Sequence, residues 1–153
     1  MTKIHATYEG ALRCKAVHEL SNSELITDAP LDNCGKGESF SPTDLVATAL
    51  ITCISTIMGI AAENSGINVC NFKITAEKKM SKDLPRKISE LIVDLYMKKK
   101  YSEKEKKIFK NAAETCPVHK SLSSQIKTTI TFHWGGWRGN LYEKNNNFNF
   151  LPI

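Results

Sequence analysis

The sequence is short of the features that identify several large classes of protein. Its first residues, Met1 to His5, contain no apolar stretch of the kind found in a signal peptide. No segment repeats along the chain, and apolar (41%) and charged (24%) residues occur at ordinary levels, which argues against a repeat array and a wholly disordered or collagen-like chain. The 153 residues suit one domain that needs no disulfide or metal for stability.

The excess of positive over negative side chains is also modest. The chain has 21 Lys and Arg residues against 16 Asp and Glu residues, a net charge of +5. Many lysines fall in two runs, 98–100 and 104–107, that are typical of a solvated surface. A nucleic-acid-binding sheet would interleave aromatic and basic residues, whereas the last predicted strand offers only Lys127 and His133. We therefore expect no nucleic-acid partner.

Cysteine, by contrast, is frequent and odd in number. Without a leader, the expected compartment is a reducing cytoplasm, where a cysteine serves as a buried apolar residue, a metal ligand or a redox group. The question is which role each one has. The five are Cys14, Cys34, Cys53, Cys70 and Cys116.

The pattern of apolar residues predicts an α+β fold with a mostly antiparallel sheet, because the strands are not separated by regular helices. Ser102 has the serine-then-acid form of a helix start, and that helix should end near Thr115. Alternating runs predict strands at 3–19 (a hairpin about Glu9 and Gly10), 24–28, 69–79, 87–98 and 125–134.

The strongest local signal is a long central helix. Ser41 is a good N-cap and Pro42 suits the first helical position, while Gly66 marks the end. The stretch 45–62 has no charge and is long enough to span a membrane. Small polar residues dilute its hydrophobicity and acidic residues flank it, so we expect a helix buried in a fold or dimer, and no membrane.

Two faces of this helix differ in character. Small residues on one face would let another backbone approach closely, which predicts a second helix or a partner chain there. The apolar face consists of Val46, Ala49, Leu50, Cys53, Ile57 and Ile60, and the small face of Asp44, Thr48, Thr52, Ser55 and Gly59.

Cys116 precedes Pro117 and is therefore predicted to cap a short helix, through Ser123. Its sulfur would then face free backbone N–H groups, which lower a thiol pKa and favour redox chemistry; a surface thiol that happens to precede a proline is the alternative. Taken alone, Cys53 is a small buried apolar residue and Cys70 belongs to the core, whereas Cys34 lies in an exposed loop.

A metal site is a competing interpretation of Cys116. With His119 it has a C-x-x-H separation, which Cys34, Cys70 or His133 could complete. Structural zinc sites usually supply two close ligand pairs, and the sequence has no second one, so we expect no metal.

The segment FSPTDLVATALITC, from Phe40 to Cys53, resembles the OsmC/Ohr family of osmotically inducible and organic-hydroperoxide-resistance proteins. In that family a Ser/Asn-Pro opening leads into a central helix with a reactive cysteine eleven residues after the proline. A second family motif, Cys-Pro at the head of a helix before a final strand, matches Cys116 and Pro117. The resemblance covers about 3–134, so we predict an OsmC-like domain over 1–134 and an Asn- and Gly-rich tail over 135–153.

The resemblance implies an intertwined homodimer with active sites at the subunit interface, and a thiol peroxidase. Cys53 would attack an organic hydroperoxide as thiolate, releasing the alcohol and leaving a sulfenic acid. Cys116 would condense with it to a disulfide. An external dithiol, of the dihydrolipoyl type, would regenerate the thiols, so no bound cofactor is expected.

A buried thiolate also needs a positive charge. Arg13 lies where the family arginine falls, and Lys36 is the substitute candidate. The family's acidic partner would fall at Thr43, so Asp44 or Glu38 would have to replace it. If neither does, the arginine is less well positioned. The alternative function, which Thr43 favours, is a non-catalytic or ligand-binding OsmC-like stress protein. An apolar pocket wall is expected from Leu50, Ile54, Ile57 and Met58.

Overall fold

The computed structural model describes residues 1–69 and 71–136. Two three-stranded sheets, in the orders β1-β2-β3 and β4-β5-β6, lie on either side of the long helix in sequence. The predicted tail falls outside the described residues from position 137 onward. The elements are β1 (Ile4–Gly10), β2 (Arg13–His18), β3 (Glu24–Asp28), α1 (Pro42–Asn64), β4 (Lys73–Met80), β5 (Ile88–Met97), α2 (Glu103–Glu114), α3 (Pro117–Ser121) and β6 (Lys127–Trp134), with a 3-10 turn at Leu31–Asn33.

The first sheet is antiparallel and almost unburied in the single chain. A turn at Gly10, Ala11 and Leu12, all at positive φ, closes the predicted hairpin. In β1 only Gly10 is even partly buried, and in β2 every residue is half-buried. Ile4 and Tyr8 are 70% and 64% exposed. A sheet with no covered face does not hold together by burial alone, so this surface is suited to pack against something else.

The central helix begins as the sequence predicts. Ser41 accepts a hydrogen bond from the Asp44 N–H, Asp44 accepts one from the Ser41 N–H, and Pro42 occupies the first turn. This capping box satisfies two of the free amides at the helix start. Beyond the helix end, Gly66 has a positive φ (65°), which glycine adopts without strain.

Only one side of α1 is buried in the single chain. By length and composition the helix could cross a membrane. In the single chain, 28% of its most apolar 18-residue window is buried by contact with the rest of the fold. Ile60, predicted to share a face with Leu50, is 47% exposed. The fully covered side consists of Ala47, Leu50, Ile54, Met58 and Ala62.

The second sheet forms the floor of the core. Strands β4 and β5 are antiparallel, and the inward residues of β5, at positions 91, 93, 95 and 97, are completely buried against the helices. From β5 the chain crosses over through α2 and α3 and returns as β6, which pairs with β5 in parallel. A parallel pair requires such a crossover, whereas a short turn joins antiparallel strands.

The predicted fold class is confirmed, with one refinement. Three of the four strand pairs are antiparallel, and the β5–β6 pair makes the second sheet mixed. The predicted strand at 69–79 begins only at Lys73, and Cys70 lies outside the described residues. The start of α2 at Ser102 and its end at Thr115 agree with the sequence pattern.

Two matched capping boxes allow the helix starts to be compared. We expect Ser41→Ala to lower the free energy of unfolding by about 2 kcal/mol and Ser102→Ala by about 1 kcal/mol. The difference arises because Ser41 is buried and also accepts a hydrogen bond from Lys78, whereas Ser102 is exposed. Urea denaturation of both variants measures it, and equal losses would contradict the assigned role of the buried cap.

Candidate functional site

Two cysteines from distant parts of the chain meet beside the core. Cys53 lies about three turns into α1 and is half-buried, and Cys116 is completely buried at the start of α3. Their side chains are close enough for Cys53 to act on the Cys116 thiol. The residues are 63 positions apart in sequence. The structure therefore brings together the two thiols singled out by the sequence.

The chain direction changes at Cys116 because one helix ends and another begins there. Helix α2 ends at Glu114 with Thr115 as its C-cap, Cys116 is the N-cap of α3, and Pro117 starts the next turn. The Cys116 N–H donates weakly to the Ala113 carbonyl at the end of α2 (3.4 Å). Helix α3 packs on α1, which places the cap residue against the middle of the central helix.

The electrostatic environment of Cys116 differs from the prediction. Burial raises the pKa of the Cys116 thiol, and the neighbouring Cys53 raises it further. The amides of His119 and Val118 act in the lowering direction, as expected of a helix start, but the sulfur makes no capping hydrogen bond of ordinary geometry. The prediction of a lowered pKa is wrong because desolvation outweighs the pull of a five-residue helix.

The remaining described cysteines are separate from this pair. Cys34 is exposed, as predicted, and has a positive φ in the loop before α1. Cys14 is half-buried on β2, opposite Thr27 of β3. The prediction that Cys70 belongs to the core falls outside the described residues.

Arg13 has two acidic neighbours, and both come from the end of β3 and the loop after it. Its guanidinium forms an ion pair with Glu38, and the same nitrogen lies 3.7 Å from Oδ2 of Asp28. The Asp28 side chain is fully buried, and Oδ2 accepts a hydrogen bond from the Glu38 N–H (2.9 Å). Asp28 therefore holds Glu38 through its backbone, while Arg13 binds the Glu38 side chain. In the described part of the chain, Arg13 does not contact Cys53.

Tight packing of the loop supports this arrangement. A Cβ at Gly35 would overlap the backbone of Ala29, so the loop passes too close for any side chain. The Asp28 N–H then donates to the Phe40 carbonyl (3.1 Å) just before α1 begins. Glu38 is thereby placed between the end of β3 and the helix start.

Asp44 binds a different cation. Lys78 of β4 donates to Oδ1 of Asp44 (2.8 Å) and to Oγ1 of Thr43 (2.7 Å). Burial by itself would raise the pKa of Asp44, but hydrogen bonds from Lys78 and Ser41 hold it below its usual value. Of the two acidic residues predicted as partners for Arg13, the structure therefore places Glu38 beside it and Asp44 beside Lys78.

Sequence reasoning missed Asp28 and Lys78. A signal for Lys78 was present, since it continues the inward face of β4 that includes Ile74 and Ala76, where a lysine is unexpected. Asp28 ends a strand with nothing unusual around it. Its pairing with Arg13 depends on the β2–β3 register, in which these two residues are directly opposite.

Two other predicted features are placed elsewhere. Lys36 is exposed, and no ion pair involves it among the described residues. Leu50, Ile54 and Met58 are completely buried in the core, so the predicted pocket wall is wrong for these three, and only Ile57 remains half-buried.

A groove lies on another side of α1. It has a volume of about 890 Å³ and runs between the first half of the helix, β4 and the loop at 37–40. Its lining includes Phe40, Thr48, Ile51 and Lys78 but not Cys53.

Within the described ranges, no three His, Cys, Asp or Glu side chains are grouped closely enough to hold a metal ion. Residues considered as zinc ligands are dispersed. His133 is hydrogen-bonded to Asp94 (2.7 Å) on the outer face of the second sheet, and Cys34 is in the exposed loop.

Comparison of the chain with known proteins identifies a family that it resembles. The family model described as OsmC-like protein matches residues 35–131. A crystal structure described as an osmotic stress induced and detoxification response protein, from Psychrobacter arcticus 273-4, is 45% identical; the match covers 87% of this chain and 96% of that one, with a TM-score of 0.82. No curated protein matches the sequence.

More distant structures share the fold. An organic hydroperoxide resistance protein OsmC from Legionella pneumophila is 15% identical, with a TM-score of 0.73 over 86% of this chain and 96% of that one. An OsmC-like protein from Mycoplasma pneumoniae is 17% identical, with a TM-score of 0.75 over 88% of this chain and 96% of that one.

The environments of the thiols predict an order of alkylation. In the reduced native protein, Cys34 should react with a maleimide at least about tenfold faster than Cys116, because Cys34 is exposed and Cys116 is a buried thiol with a raised pKa. Peptide mass spectrometry after timed quenching measures both rates. Unfolding in urea should abolish the difference, and fast native labelling of Cys116 would contradict the assignment.

Proposed function

The chain belongs to the OsmC-like protein family, and we propose that it is a thiol-dependent peroxidase that reduces organic hydroperoxides to alcohols in the cytoplasm. The family relationship supports a role in redox or stress chemistry. The 45% identical relative is described as a detoxification response protein, which favours the same role here.

One observation carries the proposal, which is the contact between the Cys53 and Cys116 thiols. Two thiols that are already neighbours can form a disulfide with little backbone movement. Their environments also suggest a division of roles. Cys116 is buried and favoured as the neutral thiol, whereas Cys53 is partly accessible and thus the sulfur that a substrate could reach.

The proposed reaction has three steps. The Cys53 thiolate attacks one oxygen of the hydroperoxide, the O–O bond breaks, and the alcohol leaves after taking up a proton, so that Cys53 becomes a sulfenic acid. Cys116 then attacks the Cys53 sulfur, which releases water and forms the disulfide. An external dithiol, for which a dihydrolipoyl compound is our candidate, reduces the disulfide by exchange.

The proposed site needs a cation beside Cys53, and Arg13 is our candidate. Within one chain Arg13 contacts Glu38 and Asp28 instead. We propose that two copies assemble so that the first sheet of one packs on the other and brings Arg13 toward Cys53. A guanidinium there would favour the thiolate and polarise the peroxide bond.

Two uncovered surfaces support such a homodimer. The first sheet exposes Ile4, Tyr8 and Ile26, and the outer side of α1 exposes Thr52, Thr56 and Ile60. The threonine hydroxyls donate to carbonyls one turn earlier, at 2.8 Å for Thr52 and 3.0 Å for Thr56. Because these hydroxyls already have partners, a second helix could cover them without leaving a polar group unsatisfied.

A non-catalytic, ligand-binding role is the second candidate. It is favoured by Thr43, which stands where the family has an acidic residue and which binds Lys78 rather than an arginine. The groove beside Lys78 would then be the place for a ligand.

Turnover of cumene hydroperoxide with a dihydrolipoyl reductant tests the enzymatic proposal. We expect Cys53→Ser to abolish turnover, and Cys116→Ser to stop it after one sulfenic acid per chain, which dimedone traps and mass spectrometry detects. Cys34→Ser is the matched control and should retain activity, because this exposed thiol lies outside the pair. A wild-type protein without turnover would favour the ligand-binding role.

The mass in solution tests the dimer. We expect light scattering to give twice the 17.1 kDa of one chain, and Thr56→Lys to give the single-chain mass, since a lysine on the outer side of α1 would be buried unpaired. Asn111→Lys on the exposed side of α2 is the control and should leave the dimer intact. A monomeric wild type would contradict the assembly.

A further inference from the structure

Two buried side-chain atoms in the described chain have no hydrogen-bond partner, Oδ1 of Asp28 and Nδ1 of His119. Buried polar atoms in folded proteins are nearly always paired, so an exception calls for an explanation. Asp28 lies beside Arg13, whose charge partly accounts for it. His119 has no part in the proposed reaction so far, and it lies three residues after Cys116.

His119 lies one helical turn after Cys116 in α3. Cys116 is the N-cap and His119 is the third residue of the helix, and the His119 amide already acts on the Cys116 sulfur. In an α-helix the Cα–Cβ bond tilts toward the N-terminus, so residues three positions apart lie on the same face. From this spacing we infer that the imidazole of His119 is on the same side of α3 as Cys116.

The second step of the proposed reaction creates a need for a base at this place. Cys116 enters that step as a neutral thiol, because its burial and the neighbouring Cys53 both favour the protonated form. Only the thiolate attacks a sulfenic acid efficiently, so the proton has to be removed as the S–S bond forms. In the described part of the chain no carboxylate acts on the Cys116 thiol.

We propose that His119 is the general base of the disulfide-forming step, an inference that rests on the proposed peroxidase function. Nδ1 takes the proton from the Cys116 thiol, and the resulting thiolate attacks the Cys53 sulfur. The S–S bond forms, the S–O bond breaks, and the leaving hydroxide takes the proton back from the imidazolium and departs as water. Imidazole suits both transfers because it gains and loses a proton near neutral pH.

The reduced structure shows the state before this step. The Cys116 thiol has Cys53 as its neighbour, and Nδ1 of His119 is left without a partner. Oxidation of Cys53 to a sulfenic acid replaces the group that the thiol faces. A rotation of the two side chains then lets the thiol donate to Nδ1, and contacts of this kind are often completed only when the reacting species is present.

Single-turnover kinetics separate the two steps. Reduced protein is mixed with one equivalent of cumene hydroperoxide, quenched with acid at intervals and analysed by mass spectrometry for sulfenic acid and disulfide. His119→Asn retains a polar atom near the position of Nδ1 but is not a base. We expect it to form the sulfenic acid at the wild-type rate and the disulfide at least about tenfold more slowly.

A matched control and a rescue experiment exclude a merely structural role. His133→Asn removes an exposed histidine on the outer face of the second sheet and should change neither step. In His119→Ala, added imidazole should restore disulfide formation in proportion to its concentration, which a loss of packing would not allow. Circular dichroism melting of each variant checks that the fold is intact.

The outcomes distinguish this inference from the function on which it rests. Failure of Cys116→Ser to form any sulfenic acid would overturn the peroxidase proposal and, with it, the role of His119. Normal sulfenic acid formation with an unchanged disulfide rate in His119→Asn, or a slow rate in His119→Ala that imidazole does not restore, would overturn the role of His119 alone.

Discussion

The need to cover the central helix is the constraint on which the rest of the structure depends. Helix α1 is uncharged over 45–62 and carries acidic residues near its two ends, so burial of its apolar side is strongly favoured. The second sheet, α2 and α3 cover one side, and this packing carries Cys116 to the middle of the helix, where Cys53 lies. The proximity of the two thiols thus follows from burial of an apolar helix and needs no separate interaction to hold them together.

Polar interactions have a different task, which is to fix the two ends of this arrangement. At the start of α1, Ser41 and Asp44 form the capping box, and Lys78 of β4 binds Asp44. This contact fixes the helix relative to the second sheet at a point where apolar packing alone would permit sliding. Asp28 at the end of β3 and Glu38 in the following loop hold Arg13 of β2. Each cation is therefore matched to its own carboxylates. In one chain, this separates the arginine from the thiol pair.

Much of this fold could be predicted because its signals are local. Ser41, Pro42 and Gly66 identify the ends of α1, and the alternation from Leu91 to Met97 identifies β5. These patterns arise from backbone geometry and from side-chain direction, which neighbouring residues determine. The parallel pairing of β6 with β5 was missed because it depends on how the chain crosses over, not on any residue within either strand.

For the candidate site, spacing and resemblance were enough to single out Cys53 and Cys116, and helix-start chemistry was enough to place Cys116 at the N-cap. The pKa of Cys116 could not be inferred in the same way. A helix start favours a thiolate, but burial opposes it, and burial depends on residues from α1 and α2 that are distant in sequence. The carboxylates that lie beside Arg13 and Lys78 could not be inferred either, because these contacts also depend on residues distant in sequence.

The sequence by itself determined the order and ends of most elements, the long apolar helix and the two cysteines of interest. Only the tertiary structure decided which thiol is deeply buried, that Glu38 and not Asp44 binds Arg13, and that His119 has a buried nitrogen without a partner. The physical reason is the range of the interactions. Propensities and caps act over a few residues, whereas desolvation and ion pairing depend on groups that meet only when the chain has folded.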